Sequence, residues 1–148
     1  MIRLVQYIAL LALAAAAEPD AAAVDVYVTL DPPVVPFHRV AQYSIVVETR
    51  GDVTVALPDM VGHFGGIEVR DVQRDTTALR DGRRRITETY VLDPVWIGTY
   101  PIEPAEVRWE PDGRAAVPSP ALRVRDLTDQ ERAAAERWRL VLDHEPDD

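Results

Sequence analysis

From Val24 onward the chain alternates. Val24, Val26, Val28 and Leu30 are apolar and Asp25, Tyr27 and Thr29 separate them, a period of two that only an extended strand turns into one buried and one solvated face. Asp31-Pro32-Pro33 stops the run, since two prolines remove two successive backbone donors. The pattern returns from Val40 to Thr49, where Tyr43, Ile45 and Val47 alternate with Gln42, Ser44 and Glu48. Arg50-Gly51-Asp52 turns the chain, Val53, Val55 and Leu57 resume the alternation, and Pro58 closes it. Pro58 to Gly66 reads as a connection and Ile67 to Val72 as a short strand. Asp81-Gly82 is a hairpin signal ahead of a long strand over Arg83 to Leu92. There Ile86, Tyr90 and Leu92 share a face with Glu88 while Thr87, Thr89 and Val91 share the other, so cover is expected on both sides. Further strands are predicted at Thr99 to Glu103, Val107 to Glu110 and Ala121 to Arg125, divided by proline and glycine. About eight short strands with no crossover helix between them predict an all-β fold, an antiparallel immunoglobulin-like β-sandwich over residues 24–126.

The end of the chain changes period. Thr128 and Glu131 form a capping-box pattern and Leu127 is placed to staple it, so residues 127–143 are predicted to hold a short C-terminal helix running from Asp129 to Asp143. Ala134, Trp138 and Val141 fall on one face, which either packs against the same domain or docks on another protein. Residues 144–148 read as an acidic tail.

The beginning is different again. Met1-Ile2-Arg3 and an apolar run from Leu4 to Ala17, short of the roughly 20 residues that a spanning helix needs, read as a secretory signal peptide. Cleavage after Ala17 leaves residues 18–23 as a flexible segment; Ala21-Ala22-Ala23 is a second candidate cleavage site, and an uncleaved anchor is the alternative. Export predicts a periplasmic or secreted protein. The chain has no cysteine, which excludes disulfides, thiolate chemistry and a lipidated N-terminal Cys. A net charge of -9 repels a phosphate backbone, so nucleic acid is not an expected partner.

No catalytic pattern emerges. His38, His63 and His144 form no metal-binding pair, Ser44 and Ser119 lack a nucleophile-elbow context, and Gly62, Gly65 and Gly66 are not followed by the Lys-Ser or Lys-Thr of a phosphate loop. Neither a cofactor nor an enzymatic activity is expected. Arg83-Arg84-Arg85 reads as a solvated strand edge that discourages pairing between molecules. The Pro58 to Gly66 connection carries Met60, His63 and Phe64, and large apolar side chains are unusual in a surface link. Phe64 either folds back over the open end of the domain or, with Met60 and His63, contributes to a partner-binding site.

Two stretches carry a family resemblance: Val55-Ala56-Leu57-Pro58 through Gly62-His63-Phe64-Gly65-Gly66-Ile67-Glu68-Val69, and Tyr90-Val91-Leu92-Asp93-Pro94-Val95-Trp96-Ile97-Gly98-Thr99-Tyr100-Pro101-Ile102. With Pro32-Pro33 and the Pro118-to-Val124 segment, residues 24–126 resemble a domain of the BatD, or oxygen-tolerance, family. The resemblance implies a non-catalytic periplasmic module working beside a MoxR-type ATPase and von Willebrand factor A domain proteins. Members of that family usually carry several such domains and a C-terminal membrane helix. In the second stretch the spacing also predicts a tyrosine-corner-like hydrogen bond from Tyr100 back to its loop. The leading expectation is thus a cell-envelope protein-interaction module. The alternative is a glycan- or small-ligand-binding sandwich that stacks on Trp96, Trp109 and Tyr100.

Overall fold

The computed structural model describes residues 24–142, with side chains of the last helix described as far as Arg139. The expected signal peptide, the 18–23 segment, His144, the acidic tail and the Val141 side chain lie outside the described residues. In chain order the elements are β1 (Val24–Asp31), β2 (Val34–Pro36), β3 (Ala41–Arg50), β4 (Val55–Ala56), β5 (Glu68–Ala78), β6 (Arg83–Asp93), β7 (Gly98–Pro101), β8 (Ala105–Trp109), β9 (Gly113–Val117), β10 (Ala121–Arg125) and α1 (Asp129–Leu142). The described chain is therefore mostly β, with one helix at its end. None of its helices is long and apolar enough to cross a membrane.

One sheet has the order β1-β3-β6-β5 and is antiparallel throughout. Alternation in β3 sends Ala41, Tyr43, Ile45 and Val47 to one face, where all are buried, against Leu92 and Tyr90 of β6. The β5–β6 turn has Asp81 and Gly82 at φ of 67° and 71°, the left-handed backbone that an Asp-Gly hairpin favours, and Leu79 N–H closes on the Arg83 carbonyl at 2.7 Å.

The other strands form one long interrupted hairpin with a strand on either side. β8 pairs with β9, and β7 pairs with β10, so the ladder runs past two breaks at Pro104 and Pro118-Ser119-Pro120. Ile102 N–H bonds the Pro120 carbonyl across the break at 3.1 Å, and the Ser119 hydroxyl donates to the Ile102 carbonyl. β2 lies parallel to β10 and β4 antiparallel to β8. Val35, Ile102, Val107, Val117, Leu122 and Val124 from this side join Tyr43, Ile45, Tyr90 and Leu92 in a single core. With no cysteine to cross-link it, burial of this apolar area is the main term holding the two sides together.

Several expectations need correction. β2 and β9 were not anticipated, so ten strands occur among the described residues in place of about eight. β4 is only two residues long, although Val53, Val55 and Leu57 do pack against the core as their alternation requires. β5 runs on to Ala78, well past Val72, with every residue from Arg70 to Ala78 exposed. Tertiary pairing with β6 carries it where its own sequence offers no apolar face. β6 is a central strand, so Arg83-Arg84-Arg85 guards no edge. The edge strands of this sheet are β1 and β5, and on β5 Arg70, Asp71, Arg74 and Asp75 supply charges that resist pairing.

Candidate interaction surface

Strand register gathers four segments at one end of the molecule. Asp31 lies opposite Gln42, Ala41 opposite Leu92, Glu68 opposite Asp93, and Gly98 opposite Val124. Residues 37–40, 58–67, 94–97 and the entry to α1 therefore share that end, and Phe37 N–H ties two of them by bonding the Arg125 carbonyl at 2.8 Å.

The 58–67 segment turns inward. Phe64 is fully buried, edge-on to Tyr43 with ring centroids 5.2 Å apart and 5.3 Å from Tyr90. Met60 is buried as well, and its N–H donates to the Tyr90 hydroxyl at 3.2 Å. That hydroxyl donates in turn to the Glu88 carboxylate. Burial, followed by the Glu88 bond, pushes the Tyr90 phenol well above its ordinary value; burial alone pushes Tyr43 up to about 12. Gly65 has a φ of 65°, and a Cβ there would come within 3.0 Å of the Pro101 carbonyl oxygen, so the close approach requires glycine. Of the three residues expected to contact a partner, Met60 and Phe64 are thus core residues. Only His63 is on the surface, side by side with Glu103, whose N–H also bonds the His63 carbonyl at 2.9 Å.

The 94–97 segment turns outward. Val95, Trp96 and Ile97 are 57%, 73% and 53% exposed, and Val40 beside them is exposed as well. The loop is not slack, because the Tyr100 hydroxyl donates to the Trp96 carbonyl at 2.7 Å, the bond that the sequence led us to expect. Three adjacent large apolar residues held open in water are the kind of patch that marks a contact surface. From the sequence alone Trp96 has a stacking role, and Val95 and Ile97 figure only in the stretch that carries the resemblance. Their signal was present: three large apolar side chains between Pro94 and Gly98, in a span too short to alternate.

Helix α1 begins at the same end. The capping box is formed, with Glu131 N–H bonding Thr128 Oγ1 at 3.2 Å and Thr128 N–H bonding Glu131 Oε2 at 2.8 Å. Arg125 grips Glu131 at 2.8 Å and Arg132 grips Asp126 at 2.8 Å. These ties fix only the first turns. Trp138 is 70% exposed, and a cleft of about 300 Å³ separates Leu127, Ala134 and Trp138 from Pro36, Phe37 and His38.

The remaining candidates have local duties. Ser44 Oγ pairs with Thr89 Oγ1 at 2.9 Å across the outer face of the first sheet. Arg83 and Arg85 both meet Glu48, and the Arg85 hydrogen bond holds that carboxyl below its ordinary range. Trp109 lies half-buried against the core, its indole in contact with the position where a Gly113 side chain would stand. It pairs with Val55 at the far end from Trp96, so the two indoles share no platform. His38, at a φ of 70°, is exposed on a turn with its ring against Phe37. Among the described residues no three His, Cys, Asp or Glu side chains are grouped to hold a metal ion. No family model matches this chain, and no curated protein matches it.

Proposed function

We propose that this chain is a non-catalytic protein-interaction module of the cell envelope, built on an immunoglobulin-like β-sandwich, and that the 94–97 loop is its contact tip. The strand order favours that fold: β1-β3-β6-β5 on one side and β2-β10/β9-β7/β8-β4 on the other match the two sheets of a constant-type immunoglobulin domain, with the first strand divided between them. The single observation that carries the function is the exposure of Val95-Trp96-Ile97 on a loop braced by Tyr100. A rigid loop loses little entropy when it docks, and an exposed Trp is the side chain most enriched at the energetic centre of protein interfaces. The resemblance to the oxygen-tolerance family, together with the N-terminal export pattern, supports a periplasmic or secreted setting and a von Willebrand factor A domain protein as the partner class.

The test is capture. Purified protein immobilised and exposed to a von Willebrand factor A domain protein is expected to retain it, and a Trp96→Ala, Ile97→Ala variant that melts like the wild type is expected to lose it. Equal retention by both proteins would remove this loop from the reading. Saturable quenching of Trp96 emission by a soluble glycan would move the function to ligand binding instead.

A further inference from the structure

The end of the molecule opposite Trp96 is left incomplete in another way. Because β4 stops after two residues, no strand among the described residues covers the inner face of the distal β5–β6 hairpin, and Thr76 and Ala78 stand exposed. Between that hairpin and the Gly51-to-Val55 segment lies a cleft of about 290 Å³, lined by Asp52, Val53, Thr54, Thr76, Arg84 and Ile86. An adjoining hollow of about 450 Å³ shares Asp52, Thr76 and Arg84 with it.

Strand alternation places Arg84 in this cleft. Arg83 and Arg85 project to the other face, where Glu48 stands 3.6 Å from one and 2.7 Å from the other. Arg84 has only the Val53 carbonyl, bonded from Nη2 at 2.8 Å, and no carboxylate of the described residues lies within ion-pair distance of it. Its Nε is buried without an acceptor. Thr49, its direct neighbour across the β3–β6 ladder, is also buried with an unpartnered hydroxyl. A half-buried guanidinium, its Nε enclosed and its one acceptor among the described residues a neutral carbonyl, lacks a counter-charge, and its planar fork of donors fits a carboxylate better than any other common anion save phosphate. Asp52, in the same cleft, makes no ion pair among the described residues and adds repulsion for each further negative charge on a ligand.

We propose that this cleft is a binding site for a single carboxylate, with Arg84 as the charge that holds it, Thr76 at its rim and Asp52 selecting against dianions. The same group is offered by a free monocarboxylate and by one acidic side chain of a protein, and the site is independent of the 94–97 loop. The experiment is an NMR titration of the full chain with propionate, with succinate, and with a capped Ala-Glu-Ala peptide, following the Arg84 Nε–H signal and the Val53 and Thr76 amides. Propionate is expected to shift these signals saturably at millimolar concentration, succinate more weakly. Saturation by the peptide at lower concentration than propionate identifies a protein ligand, and equal or poorer saturation a free one. Arg84→Lys keeps the charge without the fork and is expected to weaken binding about tenfold, whereas Arg123→Lys on β10 leaves it unchanged. Asp52→Asn is expected to strengthen propionate binding and abolish the discrimination against succinate. Shifts that never saturate, or that appear equally at Arg123, overturn the site even if the Arg84 variant fails to fold. A lower melting temperature with weaker propionate binding in Asp52→Asn would also overturn it, by showing that Asp52 is the counter-charge in solution.

Discussion

Two loops at one end of this molecule carry similar side chains to opposite fates. The 58–67 segment holds Met60 and Phe64 at 2% and 0% exposure; the 94–97 segment holds Trp96 at 73%. Hydrophobicity does not account for this, since both segments carry large apolar side chains. What separates them is what stands opposite. The inner faces of β3 and β6 offer Tyr43 and Tyr90 as a shelf on which Phe64 lies, whereas the 94–97 loop leaves β6 beyond the last core pair, Ala41 with Leu92, and its side chains stand exposed among the described residues. An apolar loop residue is a core residue when the fold supplies a receiving surface, and a contact residue when it does not.

The largest test of that distinction is Phe64→Ala, which is expected to cost about 3–5 kcal/mol in chemical or thermal unfolding. Trp96→Ala is expected to stay within about 0.5 kcal/mol of the wild type. Comparable losses in the two variants would break the comparison outright. Tyr90→Phe addresses the shelf itself. It takes the acceptor from Met60 N–H and the donor from Glu88, and a loss of about 1–3 kcal/mol is expected in the same melts. Were Tyr90→Phe neutral, the inward loop would be held by packing alone.

Tyr100→Phe sharpens the other side. Loss of its bond to the Trp96 carbonyl is expected to cost about 0.5–1.5 kcal/mol and to speed amide exchange in residues 95–98 while leaving residues 60–66 unchanged. Unchanged exchange at 95–98 would mean that the brace is dispensable. The smallest effect concerns α1, whose Trp138 is as exposed as Trp96 but whose base is tied by charge. Arg125, and then the Thr128 N–H, hold the Glu131 carboxyl down to about 2 from an ordinary 4.5. A folded value below the unfolded one gives a contribution that is complete above pH 4.5 and is lost as the pH falls toward 2. Helical circular dichroism should therefore decline across that window while near-ultraviolet signals from the core persist. A helix signal unchanged down to pH 2 would show that the ion pair does not hold α1.

Much of this architecture was legible from residue order. The alternation in β1 and β3, the Asp-Gly turn before β6, the Thr128–Glu131 box and the Tyr100 bond all depend on neighbours within a few positions, and the structure shows each of them. β2 and β9 were missed because Val34–Pro36 has too few residues to show a period and Gly113–Val117 carries no large apolar side chain before Val117, and they exist as strands through pairing with β10 and β8. The candidate surface was half legible, since its apolar residues were visible but not their direction.

The sequence by itself determined the alternating faces of β1 and β3 and the proline and glycine breaks around them, because backbone donors, proline and side-chain alternation act locally. Only the tertiary structure decided which apolar loop is swallowed and which is offered, and that Arg84 faces a cleft while Arg83 and Arg85 share Glu48. Those outcomes depend on groups that lie dozens of residues away along the chain and meet only when the sheets close. Burial and charge pairing are properties of such neighbourhoods, and no local pattern encodes them.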